Sequence, residues 1–270
     1  GEHTRFLLRS LRKNPDKFEV FLVSVGWGQT GWLAEDTEER NWIDEIILKT
    51  HKYSDAGGQF DMSIQVSIPN EWERIAPYNV GVTAGIETTK VAPVWLERCN
   101  LMDKVITISR HSKSSLVDTI YQGVHKDTGE PMTLKCEVPV EIVHYPVKQV
   151  EPDDLDIDLQ YDFNYLLVSQ WCPRKNIENA LKWWIEENYD EKVGLVLKTS
   201  LKNNSIMDRE HIHENLKAIV SSTLPADAKC KIYLLHGDLT EGQMQSLYNN
   251  PKIKALINLS HGEGFGLPMF

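Results

Sequence analysis

The residues of this chain with the clearest chemical potential lie together at Ser260, His261, Gly262, Glu263, Gly264, Phe265, Gly266, Leu267 and Pro268, directly after the apolar run ALINL. Three alternating glycines behind a buried strand let backbone N–H groups approach a ligand closely. A helix starting there would turn its positive dipole end toward an anion. A pyrophosphate suits such a place. Glu263 is a poor phosphate ligand, so its expected role is to accept hydrogen bonds from sugar hydroxyls beside the diphosphate. A tight strand-to-helix turn that needs glycine for geometry alone is the competing reading of the glycines.

A second candidate is the stretch LVSQWCPRKNI at 167–177, with Arg174 and Lys175 side by side. Read alone, this is a solvated loop pair. Lys198 and Thr199 end a strand at the edge where ligands of open α/β sheets bind, and Lys198 is a candidate phosphate contact. His236 precedes Gly237 in a loop after another strand, where a satisfied loop histidine competes with a base-facing role. Glu87 and Thr88 follow a strand of the first half.

The string from Glu263 to Pro268 resembles the signature of the group 1 (family 4) retaining glycosyltransferases. There an acidic residue is followed by Gly-Phe-Gly-Leu-Pro and a second glutamate. Glu263 matches the first acid, and the second, which would hold the nucleotide ribose, would fall just after Phe270. The segment 167–177 is similar to the family's strand and loop carrying Gly-Arg and, five positions on, a lysine. Lys175 matches the lysine, which implies neutralisation of the diphosphate leaving group. Ser169 and Gln170 stand where the family has Gly-Arg, so either Arg174 substitutes from a neighbouring position or the phosphate grip is weaker. The segment 231–259 resembles the family's strand, Gly-x-Leu/Val turn, short tyrosine-bearing helix and next strand, and 78–115 resembles its acceptor-side segment. The resemblance implies a GT-B fold, with two Rossmann-like domains of mostly parallel sheets facing across a cleft. It also places Glu87 near the donor sugar or acceptor hydroxyl.

On this basis Glu263, Lys175 and Glu87 are the expected catalytic residues. Arg174, Lys198, Gly262, Gly264, Phe265, Gly266, Leu267 and His236 are the expected donor-binding ones. The implied activity moves a hexose from a UDP- or GDP-linked donor to a glycan, lipid or small-molecule acceptor with retention, without metal or further cofactor. A noncatalytic nucleotide- or sugar-binding module and a sugar-nucleotide epimerase of the same fold are the alternatives. A metal-dependent transferase would instead use the Asp-x-Asp patterns among Asp154, Asp156 and Asp158. These acids lie in a proline-bearing stretch, where a solvated charge run is the preferred reading.

The surrounding composition is that of an ordinary globular protein: 41% hydrophobic and 25% charged residues over 270 positions. A formal charge of −10 disfavours nonspecific nucleic-acid binding. The four cysteines form no CxxC pair and read as reduced and structural. With no signal-like or spanning apolar run, a cytoplasmic location is expected. Arg5, Arg9 and Arg12 recur along one helical face, which reads as solvated, with weak peripheral membrane contact as its other use.

β-Branched apolar runs alternating with amphipathic stretches predict an α/β protein. Strands are expected at 18–25, 62–68, 78–84, 104–109 and 133–145, with helices at 4–13, 93–99 and 112–121. The second half predicts strands at 163–169, 193–199, 230–236 and 253–260 and helices at 177–188, 208–221 and 241–248. The last helix starts at a Thr240/Gln243 capping box. The expected domains are 1–145 and 162–270, joined by a linker at 146–161, and both are expected to be incomplete. Gly1 reads as the end of a loop after a missing strand.

Overall fold

The computed structural model describes residues 2–25, 36–124, 129–264 and 266–269. It divides into two units, Gly1–Pro146 and Val147–Phe270. Each is built on a four-stranded parallel sheet with helices, so the α/β class read from the sequence is the one observed.

The first unit runs α1 (Glu2–Arg12), α2 (Glu38–Asp55), β1 (Met62–Val66), β2 (Tyr78–Thr83), α3 (Pro93–Cys99), β3 (Lys104–Thr107), α4 (Arg110–Val117), β4 (Tyr121–Val124), β5 (Pro131–Leu134) and β6 (Val140–Ile142). Its parallel sheet has the order β1-β2-β3-β6, and β4 and β5 form a separate antiparallel ribbon. β2 is buried from Asn79 to Thr83, and Trp72, fully buried, lies across it. A Cβ on Gly81 would meet the indole ring at 2.5 Å, so glycine here makes room for the largest side chain of the core. Leu96, Val105, Leu116 and Val140 belong to the same core cluster.

Several sequence expectations are corrected in this unit. No strand forms at 18–25, because the Leu22 N–H donates to Thr50 Oγ1 on α2 (2.8 Å) instead of entering a ladder, while Phe21 packs on Tyr53 and Phe60. The helix α2 is absent from the expected elements; its N-cap Thr37 accepts from Arg40 N, but only Ile46 and Thr50 are buried, so its apolar stripe is faint. The partly exposed arginines of α1 also pair with α2: Arg9 (2.9 Å) and Arg5 (3.7 Å) with Glu39 and Arg12 with Glu38 (2.7 Å), its guanidinium lying over Trp42. The expected strand 133–145 breaks in two at Pro139, which has no N–H to give a ladder. The helix expected at 112–121 begins two residues earlier, at Arg110, capped by Ser109, and ends before β4. Among the described residues no helix is long and apolar enough to cross a membrane.

The second unit runs β7 (Asn164–Val168), α5 (Ile177–Asn188), β8 (Gly194–Lys198), α6 (Ile206–Thr223), β9 (Lys231–Leu235), α7 (Glu241–Tyr248) and β10 (Ile253–Leu256). All four strands are parallel, in the order β10-β7-β8-β9. Successive residues of β7 and β8 feed opposite cores. Leu167, Leu195 and Leu197 join Leu181, Trp184, Ile185 and Ile212 on one face, while Leu166 and Val196 join Leu159 and Leu247 on the other. Burial of both faces is why these strands read as unbroken apolar runs. The capping box of α7 is formed by Thr240 and Gln243, as the sequence predicts.

The stretch read as a linker belongs largely to this unit. From 153 to 159 it alternates, with Asp154, Asp156 and Asp158 exposed while Leu155, Ile157 and Leu159 pack on the β7–β8 core. Asp153 anchors the start of α7 by accepting from Thr240 Oγ1 at 2.8 Å. The segment is therefore a strap with a two-residue period, hidden in the sequence by its acidic outer face.

Gly81→Ala should lower the urea midpoint of unfolding by an amount equivalent to about 1–3 kcal/mol, because the rigid, enclosed indole has nowhere to move. An unchanged midpoint would show that Trp72 does not fix this packing.

Candidate functional site

Because the strands of the second unit are parallel, the loops after β7, β8, β9 and β10 share one edge of the sheet. The chain proceeds from β7 outward through β8 to β9 and then returns to the other side of β7 with β10. The strand order therefore reverses between β7 and β10, and the loops leaving those two strands diverge. Open α/β sheets bind ligands in the crevice at such a reversal.

The first of these loops spans 169–176. Ser169 N donates to Lys198 O (3.1 Å) and Trp171 N to Ser200 O (2.8 Å), which carries the loop toward β8 and buries Trp171 in the core. A single 3₁₀ turn, Pro173–Lys175, then ends at Asn176 with φ 54° and ψ 32°. Among the described residues Asn176 is the one non-glycine with positive φ, a conformation asparagine tolerates better than most side chains. Its amide nitrogen donates to Leu259 O at 3.1 Å, and Asn179 Nδ2 donates to its Oδ1 at 2.7 Å. The helix α5 starts immediately afterwards without a side-chain cap. Its first amides and the positive end of its dipole thus open at the strand reversal.

The second loop, 257–266, is drawn against the first. His261 N donates to Arg174 O (2.9 Å), and the Arg174 guanidinium donates to Gly262 O (2.6 Å). Lys175 Nζ reaches both carboxylate oxygens of Glu263, with Oε2 at 2.6 Å, and Arg174 stands 3.7 Å from the same carboxylate. Asn258 Nδ2 lies 3.3 Å from Glu263 Oε1 and its own Oδ1 accepts from Ser260 N at 2.9 Å. The side chains of Lys175 and Glu263 are 13% and 17% exposed, whereas that of Arg174 is 50% exposed. Burial raises the Glu263 carboxyl, but hydrogen bonds from Lys175, Ser260 and Asn258 outweigh it and hold the group below the ordinary glutamate value. Gly266 adopts φ 76° and leads into a final turn, Leu267–Met269, in which Met269 N donates to Gly266 O.

Lys175, Arg174, Gly262 and Glu263 are thus gathered in one place, with Gly264 and Gly266 on the same loop. Phe265 lies outside the described residues. Lys198 and His236 belong to a neighbouring cluster over β8 and β9. Lys198 Nζ donates to Gly237 O at 2.7 Å; burial lowers its ammonium and Asp238 acts against that. His236 Nε2 meets Asp208 Oδ1 at 2.9 Å, and both side chains are buried, so this imidazole is engaged in holding a loop. Thr199 Oγ1 is buried without a hydrogen-bond partner among the described residues. Glu87 and Thr88 are exposed on the loop after β2, in the first unit; Gly85 there takes φ 82° and Ser112 Oγ donates to Ala84 O (2.8 Å).

Asp208 is a residue the sequence reading overlooks as a site element. Its carboxylate accepts from the backbone N–H of Leu201 (2.9 Å), Lys202 (2.7 Å) and Asn203 (3.1 Å) as well as meeting His236. Burial raises this carboxyl, yet the three amides and the imidazole together drive it far below the ordinary aspartate value. The available signal is the Ser205-x-x-Asp208 spacing, in which Ser205 Oγ caps the Asp208 N–H at the start of α6. Asn176 and Asn258, which shape the two loops, carry no sequence signal beyond standing where strands run into loops.

No family model matches this sequence, and no curated protein matches it. Among solved structures it is similar to TarM, with 14% identity over 81% of this chain and 40% of that one at a TM-score of 0.45. It is similar to an OtsA apo structure, with 10% identity over 64% of this chain and 45% of that one at a TM-score of 0.39. It is also similar to a trehalose-6-phosphate structure from E. coli bound with UDP-2-fluoro glucose, with 10% identity over 80% of this chain and 56% of that one at a TM-score of 0.46. The chain spans between 40% and 56% of the length of these proteins.

The depressed carboxyls of Asp208 and Glu263 favour the charged form in the folded state. The stability they contribute is present above the unfolded carboxyl range near pH 4 and is lost as pH falls through the folded values. Asp208→Asn should therefore cost about 2–4 kcal/mol at neutral pH and show a shallower loss on acidification than the parent, measured by urea unfolding across pH. A variant whose stability runs parallel to the parent at every pH would contradict this.

Proposed function

We propose that this chain carries the nucleotide-sugar site of a glycosyltransferase of the GT-B fold, transferring a hexose from a UDP- or GDP-linked donor to an acceptor hydroxyl with retention and without metal. The observation that carries this reading is the Lys175–Glu263 pair, flanked by Arg174 and the uncapped start of α5, at the strand reversal of the second sheet. The resemblance of the Glu263–Pro268 string to a donor-site signature supports it independently.

Transfer breaks the bond between the anomeric carbon and phosphate, so negative charge grows on the leaving diphosphate and positive charge on the sugar ring. Lys175, as a point charge within reach of the α5 N-terminus, is placed to neutralise the departing phosphate. A bound diphosphate competes with Glu263 for the Lys175 ammonium and frees carboxylate oxygens to accept from sugar hydroxyls. Arg174, half exposed, adds a second cation at the rim. In this reading the leaving phosphate takes the acceptor proton on the same face of the sugar, and the protein contributes positioning and electrostatics. The acceptor is a glycan, a lipid or a small molecule bearing a hydroxyl, and Glu87 is the candidate contact to it.

Calorimetric titration with UDP, GDP and their hexose conjugates should give metal-independent binding of one nucleotide series. Lys175→Ala should weaken that binding by about 10- to 100-fold, the scale of a charge-assisted contact of about 1.5–3 kcal/mol. Binding that requires a divalent cation and is unaffected by Lys175→Ala would sink the proposal.

A further inference from the structure

The first unit contains a feature that the proposed transfer chemistry does not use. Cys99 closes α3 and is fully buried, while Cys136, in the connection between β5 and β6, is partly exposed and packs against the same core. Both belong to one cluster, and each perturbs the titration of the other. Their approach is fixed by the next residue, Asn100, whose Nδ2 donates to Lys135 O (2.9 Å) and whose Oδ1 accepts from Glu137 N (2.8 Å). The side-chain amide thus grips the backbone on both sides of Cys136 and holds that segment beside the end of α3. Cys136 Sγ also lies 3.8 Å from Val138 O. Asn100 therefore brings together two cysteines of one cluster, Cys99 buried and Cys136 partly exposed.

We propose that Cys99 and Cys136 form a thiol–disulfide exchange site that takes a low-molecular-weight disulfide as its oxidant and closes to an intramolecular disulfide. Cys136, the accessible member, loses its proton and its thiolate attacks one sulfur of the reagent. The reagent S–S bond breaks, and the first reagent thiolate leaves and is protonated. Cys99 then loses its proton and attacks Cys136 Sγ, forming the Cys99–Cys136 bond and expelling the second reagent thiol. Two protein thiols are oxidised and one reagent disulfide is reduced to two thiols.

The order of attack follows from the environment. The neighbouring Cys99 favours a thiolate at Cys136 and draws its titration downward, against burial and the nearby Glu137 carboxylate, while Cys136 and burial push Cys99 upward. Asn100 already holds the end of α3 against the β5–β6 connection. The bond would staple the end of α3 to that connection and stabilise the unit by restricting its unfolded chain.

The test treats the folded chain with excess oxidised glutathione, traps remaining thiols with N-ethylmaleimide under denaturing conditions, and maps the peptides by mass spectrometry. The wild type should yield a Cys99–Cys136 linked peptide and little glutathione retained on Cys136. Cys99→Ala, which leaves the core apolar, should instead hold a stable glutathione adduct at Cys136, with at least a tenfold greater yield than the wild type. Cys136→Ser should leave Cys99 unmodified. The oxidised wild type should also melt at a higher temperature than the reduced form, a difference absent in Cys99→Ala. Failure to form the linked peptide, or equal glutathione retention on Cys136 in wild type and Cys99→Ala, would overturn the proposal.

Discussion

The contact on which the second unit's site depends is the ion pair between Lys175 and Glu263. It joins two loops that leave adjacent strands, alongside the hydrogen bonds from His261 N to Arg174 O, from Arg174 to Gly262 O and from Asn176 to Leu259 O. Both side chains are mostly withdrawn from water, and withdrawing two charges from water consumes much of what their attraction returns. The pair is therefore a weak source of stability and a strong determinant of position. A pair of that kind can also exchange partners: an anion arriving at the α5 N-terminus offers the lysine an alternative to the carboxylate at little net cost.

The rest of the unit serves that placement. Parallel strands with aliphatic side chains on both faces form a rigid sheet whose loop-bearing edge is set by the two cores. The turn at Asn176, with its left-handed backbone and its amide on Leu259 O, aims Lys175 across the strand reversal. Over β8 and β9 the same task falls to Asp208, which gathers three backbone amides and the His236 ring. Backbone groups that would be stranded in a loop are satisfied by a buried carboxylate, and the loop gains a fixed shape.

How legible this was in the sequence varied with the physics of each element. The second unit's strands and the helices α5 and α7 were legible because both faces of the sheet are buried and the Thr240 capping box is local. Lys175 and Glu263 were identified as candidates, but their mutual pairing was not, since residues 88 positions apart meet only through the sheet topology. The helix α2 went unseen because its buried stripe is two residues wide, and its support comes from ion pairs with α1. The strap at 153–159 reads as a linker because alternating acids dominate its composition while its aliphatic partners supply its packing. The region 18–25 has strand composition yet forms none, its hydrogen bond being taken by a threonine of α2. In each miss a long-range partner, invisible to local pattern, decided the outcome.

In the proposed function, the diphosphate of a nucleotide donor exchanges with Glu263 for Lys175. The direct measurement is the titration of the Glu263 side-chain carboxyl by carbon-13 NMR, with and without a saturating nucleoside diphosphate. The account predicts a carboxyl below the ordinary glutamate value in the free protein, moving upward when the ligand draws Lys175 away. An ordinary value in the free protein, or an unchanged value in the complex, would contradict it.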